Sequence, residues 1–594
     1  MPLLRLDEDP GQIVLHTQGA VCTTTRELAE SDAFERVVGL FVAYLQAHDM
    51  PLLQAVGFDG DDPAQRAALV DLLRLLAHNP LERVTRGRAD REALLARREA
   101  LHEFVEGLYD FWRRFDRFMI DHAVASPGGR RGQVYRTFSA TAEALAELVR
   151  DLYRDVAENI TATHPRVYRQ VHAGVEMGVI VAPRAWPMPV DYRGQLDGIP
   201  FVRRVLMYPP LVLDPPTNTR SGSFLEVGEN PLAGMTFERE RWLCYPAVVG
   251  RLVVFVYFHQ RFLGLGLSLA NLFEMATDEQ IAAGPDAVYV YGAPPEALAR
   301  FGEQPTVFFD DQASGLLVGA VPLDDRYGYF GYLKKMILTL HNVAVLKRGL
   351  MPFHGAYTRI VLQSGEAANV LIIGDTATGK SETLEALRMV GERQIAELRL
   401  IADDMGSLDV GADGRLLGYG TEIGAFVRLD DLQQGYALGQ IDRAIIMSPH
   451  KVNARVVLPV TTLDEVRRGY PVDFLLYANN YDEPANEGLF VERFADAGAA
   501  LAVFREGRAM SKGTTTSTGL VASYFANIFG AAQRREQHEV IAERIFAAAF
   551  EAGVFVGQLR TRLGMPGHET EGPRSAAQAL LAVIATAKKG EPPS

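Results

Sequence analysis

The stretch Asn369-Val370-Leu371-Ile372-Ile373-Gly374-Asp375-Thr376-Ala377-Thr378-Gly379-Lys380-Ser381-Glu382-Thr383-Leu384-Glu385-Ala386-Leu387 decides the fold class. Its apolar run up to Ile373 reads as a buried strand, and Glu382–Leu387 opens a helix. Between them stands GxxxxGKS. Gly374 and Gly379 let the backbone curl so that its N–H groups face phosphate oxygens. Lys380 brings a point charge to the β- and γ-phosphates, Ser381 offers a hydroxyl to Mg²⁺, and the helix N-terminus adds its dipole. Strand, loop and helix in this order predict an α/β domain. Its phosphate cradle would be Gly374, Asp375, Thr376, Ala377, Thr378, Gly379, Lys380, Ser381 and Glu382.

A second strand follows, Leu398-Arg399-Leu400-Ile401-Ala402, ending in Asp403-Asp404. In a P-loop fold such a strand is expected beside the first, its terminal carboxylate near the metal of the nucleotide. Two further features lie upstream. His354 sits in Met351-Pro352-Phe353-His354-Gly355, and Lys334-Lys335 follow Tyr329-Phe330-Gly331-Tyr332-Leu333. On local grounds His354 reads as a core group and the lysine pair as a solvated helix face.

Working outward, residues 1–165 read as mostly helical. Ser31-Asp32 can cap a helix with Phe34, Val37, Val38, Phe41 and Leu45 at helical spacing. Further helices are expected over 64–78, 91–124 and 136–160, with a break at Ser126-Pro127-Gly128-Gly129-Arg130-Arg131. This region carries no metal-ligand or nucleophile pattern and reads as a helical scaffold or an oligomerisation domain. From about 166 short β-rich runs begin, among them Val179–Val181, Leu252–Tyr257 and Ala287–Tyr291. The expected organisation is therefore a helical region 1–165, an α/β lobe 166–345 and a P-loop lobe 346–594. The tail from Lys588 reads as frayed.

Composition narrows the function. The 594 residues are 48% hydrophobic and 23% charged, as in ordinary globular chains. A net charge of −14 argues against a general nucleic-acid binder but leaves room for a local basic pocket. Cys22 and Cys244 alone cannot build a disulfide framework or a Cys-rich zinc site, and they read as buried thiols of a reducing cytosol. The N-terminus shows no secretory pattern. The apolar region 247–273 is interrupted by Arg251, His259, Gln260 and Arg261, so it reads as core and not as a membrane span. A cytoplasmic protein is expected, with no membrane and no nucleic-acid partner.

Taken in order, these pieces resemble phosphoenolpyruvate carboxykinase, particularly its ATP-using branch. Tyr329–Lys335 is similar to that family's Tyr-x-Gly-x-Met-Lys-Lys segment, and Leu350–His354 to its Leu-x-x-Met-His segment. Asn453-Ala454-Arg455-Val456-Val457-Leu458-Pro459-Val460 resembles its Asn-Thr-Arg-x-x-Tyr-Pro-Ile segment. Ser511-Lys512-Gly513-Thr514 with Phe529-Gly530 resembles its lid and Phe-Gly pair, and Thr219-Arg220-Ser221 with Phe224 its Thr-Gly-Arg-Ser segment. The resemblance spans about residues 215–580 and implies a two-lobed P-loop fold of mixed sheets and helices. It implies ATP, Mg²⁺ and Mn²⁺ as cofactors, with oxaloacetate and phosphoenolpyruvate as the small anionic substrate and product.

By position, Lys335, His354 and Asp404 would hold the Mn²⁺, and Ser381 the Mg²⁺ of the nucleotide. Lys334 would sit by the transferring phosphoryl and Arg455 against the γ-phosphate and substrate. Arg220 would grip the substrate carboxylate, and Tyr329 would line its pocket. A closing lid is expected at Gly507–Gly519.

Several departures resemble HPr kinase/phosphorylase instead: His354-Gly355, Gly374-Asp375, Gly379-Lys380-Ser381-Glu382 and Ala402-Asp403-Asp404. That resemblance implies Asp404 as general base toward a hydroxyl, Asp403 as a metal ligand and Glu422 as a later signature residue. Thr515 stands where the carboxykinase lid has Glu. The family's extra phosphate-binding Lys has no counterpart between Lys380 and Lys451, a place Arg428 could fill. Three readings follow: an ATP-dependent carboxykinase-like lyase, a kinase for a protein or small-molecule hydroxyl, and a nucleotide sensor without turnover.

Overall fold

The P-loop strand lies inside a mixed sheet, flanked on both sides. The computed structural model describes residues 5–18, 22–88, 91–122, 131–303, 305–375, 378–391, 393–429, 441–484, 489–512 and 518–587. They divide into two compact units, Met1–Pro183 with Pro200–Tyr208, and Arg184–Ile199 with Pro209–Ser594. The first unit extends past 165, and the chain on both sides of 345 belongs to the second.

In the first unit, strands β1 (Arg5–Asp9) and β2 (Gln12–Thr17) form an antiparallel hairpin, closed at Gly11 with φ +79°. β2 pairs in parallel with β3 (Asp116–His122), β3 in parallel with β4 (Met177–Ala182), and β4 antiparallel with β5 (Phe201–Met207). Helices α1 (Thr25–Ala29), α2 (Asp32–Ala47), α3 (Pro63–Leu76), α4 (Arg98–Arg113) and α5 (Arg131–Thr161) share one apolar core with this sheet. Ser31 caps α2 by accepting from the Phe34 amide at 3.2 Å.

A mostly helical reading of this region thus misses a sheet. The helix expected over 91–124 stops at Arg113, and its end is strand β3. Phe118, Met119 and Ile120 are buried along consecutive positions, a pattern that fits a strand covered on both faces as well as an all-round buried helix. The expected run Val179–Val181 lies in β4 and so belongs to this unit. The break at 126–130 lies outside the described residues.

The second unit opens with strands β6 (Trp242–Val249), β7 (Leu252–His259), β8 (Ala287–Ala293), β9 (Val307–Asp311) and β10 (Leu316–Pro322). β7 pairs antiparallel with β6 and parallel with β8, β8 parallel with β10, and β10 antiparallel with β9. The apolar region 247–273 read as core takes in the end of β6, all of β7 and the largely buried helical turns from Gln260 to Asn271. Helix α6 (Phe330–Lys347) follows, buried almost throughout.

The P-loop sheet contains β11 (Met351–Leu362), β12 (Ala367–Ile373), β13 (Ile395–Ala402), β14 (Met405–Val410), β15 (Leu416–Gly420), β16 (Phe474–Asn479) and β17 (Phe555–Arg560). β12 has antiparallel β11 on one side and parallel β16 on the other, and β16 is followed by parallel β17. β11 is long enough to pair with β13 along one part and β14 along another. Both faces of β12 are covered. Val370 and Ile372 pack with α7 (Lys380–Val390) and α9 (Glu571–Ala587), while Leu371 and Ile373 pack with α8 (Arg535–Glu551). That explains its unbroken apolar run.

One expectation is corrected. β13 does not run beside the P-loop strand; β11 lies between them. A smaller sheet joins Gly424–Arg428, Arg455–Pro459, Ile445–Met447 and Leu211–Leu213. The flanks of the expected lid, Arg508–Lys512 and Thr518–Ala522, pair as a hairpin, and residues 513–517 lie outside the described residues. The architecture is mixed α/β. No helix among the described residues is long and apolar enough to cross a membrane.

Candidate functional site

Three strands deliver the site. The Gly374 amide donates to the His354 carbonyl at 3.1 Å, and the Gly355 amide donates to the Asp404 carbonyl at 2.9 Å. The start of the P-loop, His354 and the end of β13 are thereby stitched side by side. Gly355 is needed for this closeness, since a Cβ there would stand 2.4 Å from the Ile372 carbonyl oxygen. On the far side, α6 supplies Lys334 and Lys335 from its first turns.

These side chains converge. Lys335 Nζ donates to both Asp404 oxygens at 2.8 and 2.7 Å. Lys334 Nζ lies 2.8 Å from Asp404 Oδ2 and 3.5 Å from Glu422 Oε1. His354 Nε2 stands 3.0 Å from Asp404 Oδ1. The other ring nitrogen of His354, Nδ1, is 2.7 Å from the Ala526 carbonyl. A carbonyl only accepts, so Nδ1 carries a proton. In the neutral ring the Nε2 lone pair then faces a carboxylate oxygen.

Burial and neighbours tune the charges. Burial pulls Lys335 down to about 8; Asp404 opposes this and Lys334 adds to it. Burial also acts on Lys334, but Asp404, Glu422 and Asp403 outweigh it and hold its ammonium above the ordinary range. Burial would raise Asp404, yet Lys334 and Lys335 keep it well below the usual carboxylate range. Burial raises Asp403 despite Lys334. Glu422 is pushed up to about 8 by burial, with Lys334 pulling the other way. Burial and the Lys335 charge lower His354, which favours the neutral ring.

The P-loop lies next to this cluster. Lys380 is 7% exposed, and its Nζ donates to the carbonyls of Gly374 at 2.7 Å and Asp375 at 2.6 Å. Burial lowers its pKa, with Asp375 and Asp404 opposing. Thr378 Oγ1 donates to the Asp375 carbonyl at 2.8 Å, and Thr561 Oγ1 donates to the Thr378 carbonyl at 2.7 Å. Gly379 has φ +94°, and a Cβ there would meet Thr561 Oγ1 at 2.6 Å. Glu382 stands in the first turn of α7. Thr376, Ala377 and the Ser381 side chain lie outside the described residues.

The remaining candidates gather on two rings. Phe529 has Lys335 Nζ 4.6 Å and the Arg220 guanidinium 5.2 Å from its centroid, and meets His354 edge-on at 5.8 Å. Arg220 therefore shares the Phe529 ring with Lys335. Its loop is tied to α6 where the Ser221 amide donates to the Tyr332 hydroxyl at 3.0 Å. Tyr329 and Arg455 instead meet Phe426, at 5.8 and 5.5 Å. Among the described residues, Arg455 Nε is buried without a hydrogen-bond partner. Arg428 is the cross-strand neighbour of Arg455. Asn453 Nδ2 donates to the Asn218 carbonyl at 2.6 Å, linking the Arg455 strand to the Arg220 loop.

Sequence reasoning missed Phe426 and Thr561, for which no local signal exists, and gave Phe529 no role. Chemically, the set offers a carboxylate braced by two lysines, an amine of lowered basicity, a neutral imidazole and a phosphate-binding loop. No protein-family model and no curated protein matches the chain.

Proposed function

We propose that the chain is an ATP-dependent phosphoryl-transfer enzyme of the phosphoenolpyruvate carboxykinase kind, acting on oxaloacetate. The observation that carries this reading is the meeting of Lys334, Lys335, His354 and Asp404, from three separate elements, beside Lys380. A phosphate loop alone serves many enzymes. A lysine pair braced on one carboxylate next to it suits a reaction that builds negative charge on a carbon acid and on a phosphoryl group together.

The residues also fit a divalent cation. His354 Nε2 and Asp404 Oδ1 are two acceptors 3.0 Å apart, and Lys335 is pulled toward the neutral amine that a metal ligand requires. Lys335, His354 and Asp404 would hold Mn²⁺, which when bound supplies Lewis acidity for an enolate oxygen. Ser381 would meet the nucleotide's Mg²⁺.

The chain's own residues do the rest. Arg220 binds a substrate carboxylate. The C–C bond to the departing CO₂ breaks, and its electron pair forms the enolate. Lys334 stabilises the enolate oxygen, which attacks the γ-phosphorus as the bond to ADP breaks. Lys380 and Arg455 neutralise the transferring group. Phe529, packed under Arg220 and Lys335, keeps water from protonating the enolate carbon.

A second reading, a kinase for a protein or small-molecule hydroxyl, is favoured by the His354–Asp404 pair and by Glu422 in the same cluster, which would suit general-base work. Protein incubated with ATP, oxaloacetate, Mg²⁺ and Mn²⁺ is expected to yield phosphoenolpyruvate and CO₂ in equal amounts. ATP bound with neither product formed would overturn the first reading. Phosphate transfer to a hydroxyl acceptor in its place would establish the second, and ATP binding without any turnover would leave a nucleotide sensor.

A further inference from the structure

The first unit holds a cavity of about 110 Å³, far from ordinary packing, in which voids larger than a water are few. Leu15 of β2, Phe34 of α2, Leu73 of α3, Trp112 of α4, and Leu145 and Leu152 of α5 wall it. The lining is almost entirely carbon. Two of its polar groups are committed elsewhere: Trp112 Nε1 donates to the Ala173 carbonyl at 2.7 Å, and the Tyr153 hydroxyl to Glu106 Oε1 at 2.5 Å. The space is partly open to solvent, but water needs roughly two to four polar partners to be held and finds few here, whereas apolar cavities of roughly 150 Å³ accept benzene or xenon.

Two details argue for a built site over a packing defect. Ala33 stands in the wall, where a larger aliphatic side chain would close the space. Tyr109 and Tyr153, also in the wall, stack at 4.1 Å with planes 14° apart, so the wall includes an ordered aromatic pair.

We propose that the first unit binds a small uncharged apolar molecule, the size of one aromatic ring or a short alkyl chain, between α2, α4 and α5. The site is independent of the nucleotide site and does not rest on the proposed activity.

The test uses the full chain carrying Trp186→Phe and Trp242→Phe, which leaves Trp112 as its single tryptophan. Iodobenzene is titrated while Trp112 fluorescence is followed. Saturable quenching at one site is expected. Ala33→Leu and, separately, Val149→Phe should each weaken that binding by at least about tenfold while circular dichroism stays unchanged. Linear, collisional quenching in the unfilled protein overturns the proposal outright. So does saturable quenching that survives unchanged in a filled variant that folds, because the probe then sits elsewhere.

Discussion

Asp404→Asn removes a carboxylate shared by two ammonium groups and an imidazole. Asp404 oxygens lie 2.7–2.8 Å from both lysine nitrogens. At an effective dielectric of about 20, each such pair interacts by roughly 6 kcal/mol before desolvation is counted. Deleting one partner of a buried pair costs about 3–5 kcal/mol, because the other charge stays buried. Here the two lysines fare differently. Lys334 still has Glu422 at 3.5 Å, and Glu422 loses its proton more readily once the Asp404 charge is gone. Lys335 has no second carboxylate within ion-pair distance among the described residues and is already down at about 8, so it sheds its proton near neutrality. Asp404→Asn is therefore expected to cost about 3–4 kcal/mol.

Lys335→Met should be neutral or stabilising at pH 7, since it removes a buried charge and its repulsion with Lys334 while Asp404 keeps Lys334. The sign with pH follows. Between about 8 and the ordinary 10.5 the folded protein binds fewer protons at Lys335 than the unfolded chain, so stability rises with pH across that window. The Met variant loses that rise. Denaturant unfolding followed by Trp186 and Trp242 in a Trp112→Phe background reports on the second unit. Equal costs for the two variants, or Lys335→Met the costlier, would refute the bridging arrangement.

Three other outcomes are expected. Lys380→Ala should weaken ATP binding by at least about 100-fold with the melting transition retained; calorimetric titration giving wild-type affinity would show that the loop does not hold the nucleotide. Glu422, held up at about 8 when folded, contributes stability that is full below 4.5 and fades as pH rises through 8. Glu422→Gln should flatten that fall in unfolding free energy between pH 5 and 8, and an unaltered slope would assign it to other groups. Ala33→Leu fills a cavity of about 110 Å³, which at about 24 cal/mol per Å³ sets a ceiling near 2.6 kcal/mol on the gain. A melting temperature that falls would mean that the space cannot take the side chain.

The parts of this molecule that were legible in its sequence are those whose physics is local. The P-loop announces itself because an apolar strand, two glycines and a helix start must be contiguous to make a phosphate cradle. Asp403-Asp404 is likewise legible as a strand end, but its neighbour is not, since pairing with β11 instead of β12 depends on register. His354 shows the limit most clearly. It reads as a core histidine and is one by burial, at 1% exposure. Its chemistry comes only from Asp404, fifty residues on, and from the Ala526 carbonyl that fixes its tautomer.

Phe426, Phe529 and Thr561 are ordinary residues locally. They acquire meaning because distant segments bring cations and loop carbonyls onto them. In the first unit β3 reads as helix from sequence, because three consecutive buried apolar residues have no period to read.

The net charge of −14 says still less about the site. Lys334, Lys335 and Lys380 sit among Asp403, Asp404 and Glu422, and what matters is how unevenly burial divides the protons among them. One carboxylate is driven to stay charged, another to stay neutral, and one lysine is pulled toward the free amine beside a lysine that cannot lose its proton. Groups of one chemical type held in different protonation states within a few ångströms mark a site where acid and base roles can be divided. A composition count cannot register that division.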